Sequence, residues 1–269
     1  MSVDPSLVRM YVPNQVKIFI PPGLAGFKRR LFDRVADTVG GPILEQAELE
    51  ALPDNLIPAV GCTAAIRPLI DAWAARGRKW IYWDRGYARR VFATWLPRGK
   101  DGGYYRWHIG TFQMQTIRHV PDDRWRALNT EVSAWRKNGR KIVVAAPSPS
   151  YLRFHNIDSW VEQTVAELRR HTDRPIEVRE KTDTLPLSCQ LHTAHALVTH
   201  GSNAAVEAVI MGCPVFVDRS SAAALVGLTD LSRIEHPVYP EREPWLHSLA
   251  YSNFCESELF DGTVWRLIA

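Results

Sequence analysis

Residues 196–217 read ALVTHGSNAAVEAVIMGCPVFV and carry the clearest secondary-structure pattern of the sequence. An apolar run ends at His200, Gly201 and Ser202 form a turn, and apolar residues then recur with helical spacing up to a second apolar run at 214–217. A buried strand, a turn, a helix and another buried strand in close succession are typical of a parallel sheet with crossover helices. The stretch therefore predicts an α/β fold.

Strand and helix patterns alternate along the rest of the chain. Apolar strand patterns occur at 16–20, 56–60, 79–83, 141–146 and 176–179. Helical patterns occur at 27–39, 63–76, 123–137, 158–171 and 187–193. The segment 96–108 is rich in turn-forming residues, which favours a mobile loop or a hairpin tip.

We predict two Rossmann-like domains that face a cleft. The first covers residues 1–137, and the second, which has the more regular pattern, covers residues 138–245. Residues 246–269 have helical spacing without a strand signal, so we expect helices that pack back on the first domain.

The composition excludes several classes of protein. The 269 residues are 46% hydrophobic and 23% charged, which excludes collagenous and largely disordered chains. No apolar run approaches the roughly 18 residues of a membrane span, and Asp4, Pro5 and Pro13 interrupt the region where a signal peptide is apolar. We therefore expect a cytoplasmic protein. The four cysteines show no C-x-x-C or Cys/His pairing, so neither a zinc site nor a disulfide framework is predicted.

Positive charge is concentrated in the middle of the chain. Residues 76–141 carry sixteen Lys and Arg against five Asp and Glu, and seven of the ten tryptophans lie between positions 73 and 135. Cations for phosphates and rings for exposed bases make a nucleic-acid surface, although a solvated arginine-rich face over core tryptophans also explains the composition. The candidate nucleic-acid residues are Arg85, Arg89, Arg98, Lys100, Tyr104, Tyr105 and Arg106.

The turn at 200–203 has the features of an anion site. Unpaired backbone N–H groups at a helix start favour phosphate, Gly201 permits close approach, and Ser202 and Asn203 add side-chain donors. Glu207 lies one helical turn further on, where a carboxylate accepts hydrogen bonds from ribose hydroxyls. The turn therefore predicts a nucleoside diphosphate site, and a tight turn with a structural His200 is the alternative.

The pattern H-G-S-x-x-x-x-E-A-x-x-x-G-x-P-V at 200–215 resembles the sugar-nucleotide segment of GT-B glycosyltransferases, particularly the capsule-biosynthesis type. The resemblance implies that His200, Ser202 and Asn203 contact the diphosphate and that Glu207 contacts the ribose. It also implies a nucleotide sugar, expected to be UDP-linked, as substrate and no bound cofactor. No D-x-D motif occurs in the sequence, which argues against the metal-dependent GT-A class, so no metal is expected.

Other residues are predicted to complete this site from the ends of neighbouring strands. Arg179 and Lys181 follow the strand at 176–179 and would neutralise the leaving diphosphate, unless they form a solvated charged turn. Ser148 follows the strand at 141–146 and would line the cleft. Ser220 and Ser221 follow the strand at 214–217, where a helix start would touch the sugar nucleotide.

Asp84 is the candidate general base. It follows the strand at 79–83, and Gly86 lets the chain turn after it. A helix cap or a surface pair with Arg85 is the alternative. His108 is the second candidate, although a lone histidine in an aromatic segment is also commonly structural.

These features predict a metal-independent glycosyltransferase that moves a sugar from a nucleotide sugar to a hydroxyl. The positive segment favours an anionic acceptor, and a hydroxymethylated pyrimidine in DNA, as in bacteriophage base modification in the host cytoplasm, fits best. Tryptophans of this segment, or Tyr104 and Tyr105, would then fill the gap left by an extruded base or stack on the flipped ring. A capsule or lipopolysaccharide acceptor and a non-catalytic nucleic-acid-binding protein on the same scaffold are the alternatives.

Overall fold

The computed structural model describes residues 13–87 and 103–268. The chain divides into two compact units. The first unit comprises residues 1–112 and 249–269, and the second comprises residues 113–248.

The first unit begins with alternating strands and helices. In chain order they are β1 (Val16–Phe19), α1 (Gly26–Asp37), β2 (Pro42–Ile43), α2 (Gln46–Glu50), β3 (Ile57–Val60), α3 (Arg67–Ala75), β4 (Ile81–Arg85) and β5 (Tyr104–Ile109).

The second unit continues the alternation, and the chain then returns to the first. The elements of the second unit are α4 (Asp123–Ala127), β6 (Lys141–Ala145), α5 (Pro149–His155), α6 (Trp160–Leu168), β7 (Ile176–Arg179), α7 (Leu187–Leu191), β8 (Ala194–Thr199), α8 (Ala204–Ile210), β9 (Val215–Val217) and α9 (Glu243–Ala250). The returning segment forms β10 (Asn253–Cys255), α10 (Glu256–Phe260) and α11 (Thr263–Leu267). None of the described helices is long and apolar enough to cross a membrane.

The first sheet has six strands in the order β10-β5-β4-β3-β1-β2. The four strands β2, β1, β3 and β4 are parallel, and β5 and β10 run antiparallel to their neighbours. Side chains alternate between the two faces of a strand. Trp83 and Trp107 belong to the core that includes Val35 of α1 and Trp265 of α11, whereas Tyr82 and Asp84 alternate to the opposite face.

The second sheet has four parallel strands in the order β7-β6-β8-β9. Every residue of β8 is buried, as expected of a central strand covered on both faces. Its core joins Val144, Val198 and Phe216 to Leu168 of α6.

Both sheets share one topological feature. The chain passes from β1 to β2 on one side and then crosses to β3 on the other, and it passes from β6 to β7 and then crosses to β8 in the same way. Loops therefore diverge between β1 and β3 and between β6 and β8, and open α/β sheets bind ligands at such switch points.

The predicted class, an α/β protein of two Rossmann-like domains, is confirmed. The border between the units differs from the predicted one at 137/138, because residues 113–137 bond to the second unit. Gln113 donates to Gly201, Ser133 N–H donates to Ile210, and Arg136 N–H donates to Gly212.

Three local predictions were wrong. The polar helix expected at 123–137 ends after Ala127, because Asn129 adopts a left-handed conformation (φ 46°), and residues 130–140 have no regular secondary structure. Residues 104–108, the end of the segment 96–108 expected to form a mobile loop or a hairpin tip, lie in β5, and residues 96–102 lie outside the described residues. The C-terminal tail contains a strand, β10, in which Phe254 pairs with Tyr105.

Candidate functional site

The turn after β8 lies at the switch point of the second sheet. The helix α8 begins at Ala204 and has seven residues. The hydroxyl oxygen of Ser202 accepts a hydrogen bond from Ala204 N–H at 3.2 Å, and the Ser202 carbonyl accepts one from Ala205 N–H at 3.0 Å. The first helical amides, expected to be unpaired, are thus satisfied locally by Ser202.

His200 is largely enclosed in this turn. Its side chain is 12% exposed, Nδ1 lies 3.1 Å from the Tyr151 hydroxyl, and Nε2 lies 3.9 Å from Asp218 Oδ2. The latter distance is too long for a hydrogen bond. The phenol therefore holds one ring nitrogen, while the other faces a carboxylate across a gap.

Aromatic rings surround His200. The rings of Tyr151 and His155, both in α5, have centroids 5.8 and 5.5 Å from its imidazole, and that of Trp160 in α6 lies at 6.2 Å. Burial among them lowers the pKa of His200 below its usual 6.5, and the nearby Asp218 carboxylate partly opposes this shift. His200 is therefore mostly neutral at pH 7.

Asp218 comes directly after β9 and was not predicted as a site residue. Burial raises its pKa, but hydrogen bonds from the Ser220 hydroxyl at 2.6 Å and the Ser220 N–H at 2.8 Å, together with His200, outweigh burial and lower it. Its backbone N–H also donates to the His200 carbonyl at 2.9 Å. An ionised carboxylate is thus fixed beside the imidazole. The sequence signal for it was an acidic residue at the end of an apolar strand.

Gly201 is required by close contacts. A side chain at this position would collide with the Tyr151 hydroxyl and approach the Gln113 amide. Tyr151 lies in α5, a helix that was not predicted from the sequence. Pro149 at the first helical position and Ser148 as the N-cap start that helix instead.

Asn203 and Glu207 lie one helical turn apart, since Glu207 N–H donates to the Asn203 carbonyl at 3.0 Å. Asn203 is buried, and Glu207 is half-buried in the first turn of α8. The structure therefore places Glu207 one helical turn beyond Asn203, which is the spacing from which its contact with the ribose was predicted.

The other predicted residues of this site lie at different distances from the turn after β8 along the edge of the sheet, and most of them have structural partners. Ser148 lies at the switch point, where its hydroxyl accepts from Tyr151 N–H at 3.4 Å. Arg179 donates to the Leu185 carbonyl at 2.6 Å and to Gln190 Oε1 at 2.5 Å, and β6 separates its strand from β8. Lys181 is exposed in the following loop. The geometry therefore favours a structural role for Arg179. Ser220 and Ser221 mainly order the loop after β9, since Ser221 caps the next short helix.

Asp84 lies inside β4, as the fourth of its five residues, and not after the strand as predicted; its side chain is 37% exposed. Its Oδ2 lies 3.1 Å from Arg106 Nη2 and accepts from the Tyr82 hydroxyl at 3.4 Å, and its Oδ1 accepts from Arg85 N–H at 2.8 Å. The guanidinium paired with Asp84 is that of Arg106, directly opposite on β5, whereas the alternative to the base role was a surface pair with Arg85.

His108 lies inside the first unit. It is buried, and its Nε2 is 2.8 Å from the hydroxyl of the buried Tyr87. This placement favours the structural alternative, because both the imidazole and the tyrosine that contacts its Nε2 are buried.

Of the predicted nucleic-acid residues that the structure describes, the aromatic ones are buried or half-buried. Tyr105 is buried against Trp83, Arg106 is 4% exposed, and Tyr104 is half-buried in β5, so Tyr105 cannot fill a gap left by a flipped base. Arg85 is exposed, and Arg89, Arg98 and Lys100 lie outside the described residues. The tryptophans buried in the structure are Trp73, Trp80, Trp83, Trp107 and Trp125, together with Trp245 and Trp265. Core tryptophans thus explain much of the aromatic content.

Within residues 13–87 and 103–268, no three His, Cys, Asp or Glu side chains are grouped so that they could hold a metal ion. All four cysteines are free thiols.

No protein-family model matches the sequence, and no curated protein matches it either. The fold is similar to a solved structure of Thermosulfurimonas dismutans KpsC, a beta Kdo 2,7 transferase, with a TM-score of 0.53 and 13% identity over 92% of this chain and 99% of that one. A beta Kdo 2,4 transferase of the same KpsC has a TM-score of 0.45 and 13% identity, over 90% of this chain and 91% of that one. The first likeness spans nearly all of both chains and shows a shared fold.

Proposed function

We propose that the protein is a glycosyltransferase and that its nucleotide sugar binds at the turn after β8. The proposal rests on one observation: His200, Tyr151 and Asp218 lie together at the switch point of an open parallel sheet. A shared fold does not determine an activity, so the proposal depends on the residues of the site. The beta Kdo 2,7 transferase, which shares the fold, is itself a glycosyltransferase by name and supports the same class.

The residues of the turn have distinct proposed roles. His200 and Ser202 donate hydrogen bonds to phosphate oxygens, and Glu207 accepts from the ribose. As the bond to the sugar breaks, negative charge grows on the departing nucleotide, and a protonated His200 would stabilise it. Asp218 stabilises that protonated form, because it is an ionised carboxylate 3.9 Å away.

Asp84 is the proposed general base for the acceptor hydroxyl. Its carboxylate is partly exposed while its partner Arg106 is buried, so the carboxylate is held in one orientation and still accessible. A positioned base of this kind contributes roughly 10² to 10⁴ in rate.

We propose an anionic glycan of the capsule type as the first acceptor class. The positive charge of residues 76–141 supports an anionic acceptor, and the KpsC likeness supports a glycan. A hydroxymethylated pyrimidine in DNA is the second candidate. The same surplus of charge supports it, but the buried Tyr105 and Arg106 do not.

The experiment that tests the proposal is release of nucleotide from a panel of nucleotide sugars. An enzyme should hydrolyse one of them slowly without acceptor and faster with the right acceptor, whereas a non-catalytic binding protein should release none. Acidic oligosaccharides and hydroxymethylated duplex DNA are then compared as acceptors. At low concentrations of the nucleotide sugar, Glu207→Ala should slow release about ten- to hundredfold, the effect of losing one charge-assisted hydrogen bond. Glu162→Ala, which removes an exposed carboxylate from α6, should not slow it.

A further inference from the structure

A buried glutamine holds the turn on which the candidate site is built. Gln113 is 3% exposed, and its side chain joins two loops at the carboxyl edge of the second sheet. Its Nε2 donates to the Gly201 carbonyl at 2.6 Å, and its Oε1 accepts from Ala222 N–H at 2.9 Å. One side chain therefore ties the turn after β8 to the segment after β9.

The hydrogen bond to Gly201 fixes the direction of one peptide group. In a trans peptide the carbonyl and the following N–H point in opposite directions, and the described chain contains no cis peptide bond. Because the Gly201 carbonyl points at Gln113, the N–H of Ser202 points away from it. The Tyr151 hydroxyl packs against Gly201 from its α-carbon side and limits rotation of the turn.

A fixed N–H has a direct consequence for an anionic ligand. A peptide that is already oriented requires no reorganisation when the ligand binds. If the peptide flipped, the Gly201 carbonyl oxygen would face the anion and repel it. The orientation of the peptide group between Gly201 and Ser202 therefore determines whether the turn attracts or repels a phosphate.

We infer that Gln113 is a positioning residue for the phosphate of the sugar nucleotide: it holds the Gly201 carbonyl and thereby presents Ser202 N–H to a phosphate oxygen. The inference rests on the proposed function, because it takes the ligand of this turn to be a nucleotide. Gln113 itself does not touch the ligand.

The variant Gln113→Glu separates this role from a purely structural one. A carboxylate at this position still accepts from Ala222 N–H but cannot donate to Gly201. When it is protonated its O–H donates again, and burial beside a carbonyl raises the pKa of such a carboxyl. Ligand affinity of the variant should therefore recover at acidic pH.

The binding test uses uridine diphosphate and inorganic pyrophosphate in titration calorimetry at pH 7.5 and 5.5. At pH 7.5 we expect Gln113→Glu to weaken binding about ten- to hundredfold, the effect of losing one charge-assisted hydrogen bond. At pH 5.5 the ratio of wild-type to variant affinity should shrink. Gln113→Met, which adds no charge, should weaken binding at both pH values.

Gln115→Glu is the matched control. Gln115 lies two residues away, is exposed, and donates from Nε2 to the Ser220 carbonyl at 2.8 Å, so its variant adds the same charge near the same loops. We expect its affinity to stay within about twofold of wild type, since it does not hold Gly201. Equal loss in Gln115→Glu and Gln113→Glu would attribute the effect to charge and overturn the inference.

A second measurement needs no ligand. The ¹³C chemical shift of the Gly201 carbonyl reports its hydrogen bond, and it should move in Gln113→Glu at pH 7.5 but not in Gln115→Glu. An unchanged shift overturns the inference. Absence of binding of both probes to the wild type contradicts the proposed function and the inference with it, whereas equal binding by wild type and Gln113→Glu overturns the inference alone.

Discussion

His200 lies between a phenol and a carboxylate. Tyr151 contacts Nδ1, Asp218 faces Nε2, and burial keeps the pKa of the imidazole below 6.5 in the free protein. A bound phosphate would add a second negative charge beside the ring and raise that pKa. By linkage, a group whose pKa rises on binding takes up a proton from solution. Nucleotide binding to this turn should therefore consume protons.

The first prediction is a pH dependence of binding. Uridine diphosphate should bind wild type more tightly as pH falls from 8 to 6, because protonation of His200 becomes easier. Ionisation of the phosphate itself affects wild type and His200→Gln equally, so the ratio of their affinities isolates the imidazole. Calorimetry over this range measures it, and a ratio that does not change with pH would remove His200 from the site.

The lowered pKa of His200 also makes the stability of the free protein depend on pH. Stability should fall as pH falls, whereas nucleotide affinity should rise. The unfolded chain binds this proton more readily than the folded chain, so the contribution of His200 to stability falls as pH drops below about 6.5. The loss stops below the folded pKa, where both states carry the proton. Bound nucleotide should reduce this loss, because it raises the folded pKa.

The second prediction concerns Asp84. Asp84→Asn keeps the shape and removes the base, so transfer should slow by about 10² to 10⁴ while nucleotide affinity stays nearly unchanged. Asp71→Asn is the control, because Asp71 also pairs with an arginine in the first unit, Arg67, but lies in the helix α3. Transfer rates and calorimetry on the same proteins test it. Near-normal transfer by Asp84→Asn would exclude it as the base.

Among the secondary-structure elements, strands with continuous apolar runs were predicted most reliably from the sequence. The strands β6, β8 and β9 lie where their sequence predicted them, because continuous apolar runs need burial on both faces of a parallel sheet. The strand β7 also lies at its predicted position, although it is an edge strand in which Val178 is 40% exposed. The strand β5 was missed because its sequence carries Arg106 and His108 in the interior. These charged and polar groups are buried only because Asp84 and Tyr87 meet them there, and neither partner is visible from the local sequence.

The third prediction tests the interior position of β5. Trp107 is fully buried, stacks on Trp83 with ring centroids 4.7 Å apart, and contacts Trp265 edge-on at 5.2 Å. Trp107→Ala should therefore cost about 3–5 kcal/mol in the free energy of unfolding. Chemical denaturation measures this cost. A loss below about 1 kcal/mol would indicate a surface tryptophan and contradict the interior position of β5.

At the scale of the whole molecule, the two units repeat one plan, with a switch point between the first and third strands of each. The sequence predicted the turn at 200–207 because all of it lies in one continuous motif. It did not reveal Gln113, Tyr151 or Asp218, which come from three separate segments and meet His200 or Gly201 only after folding. Residues contributed by distant segments carry no local pattern.

The central claim is that a nucleotide binds at the turn after β8, and calorimetric titration of nucleoside mono- and diphosphates into wild type, Glu207→Ala and Glu162→Ala tests it most directly. At least one nucleotide should bind wild type and Glu162→Ala equally. Glu207→Ala should bind it about ten- to hundredfold more weakly at an unchanged melting temperature of the free protein. Equal affinity in all three proteins, or no binding of any nucleotide at millimolar concentration, would contradict the account.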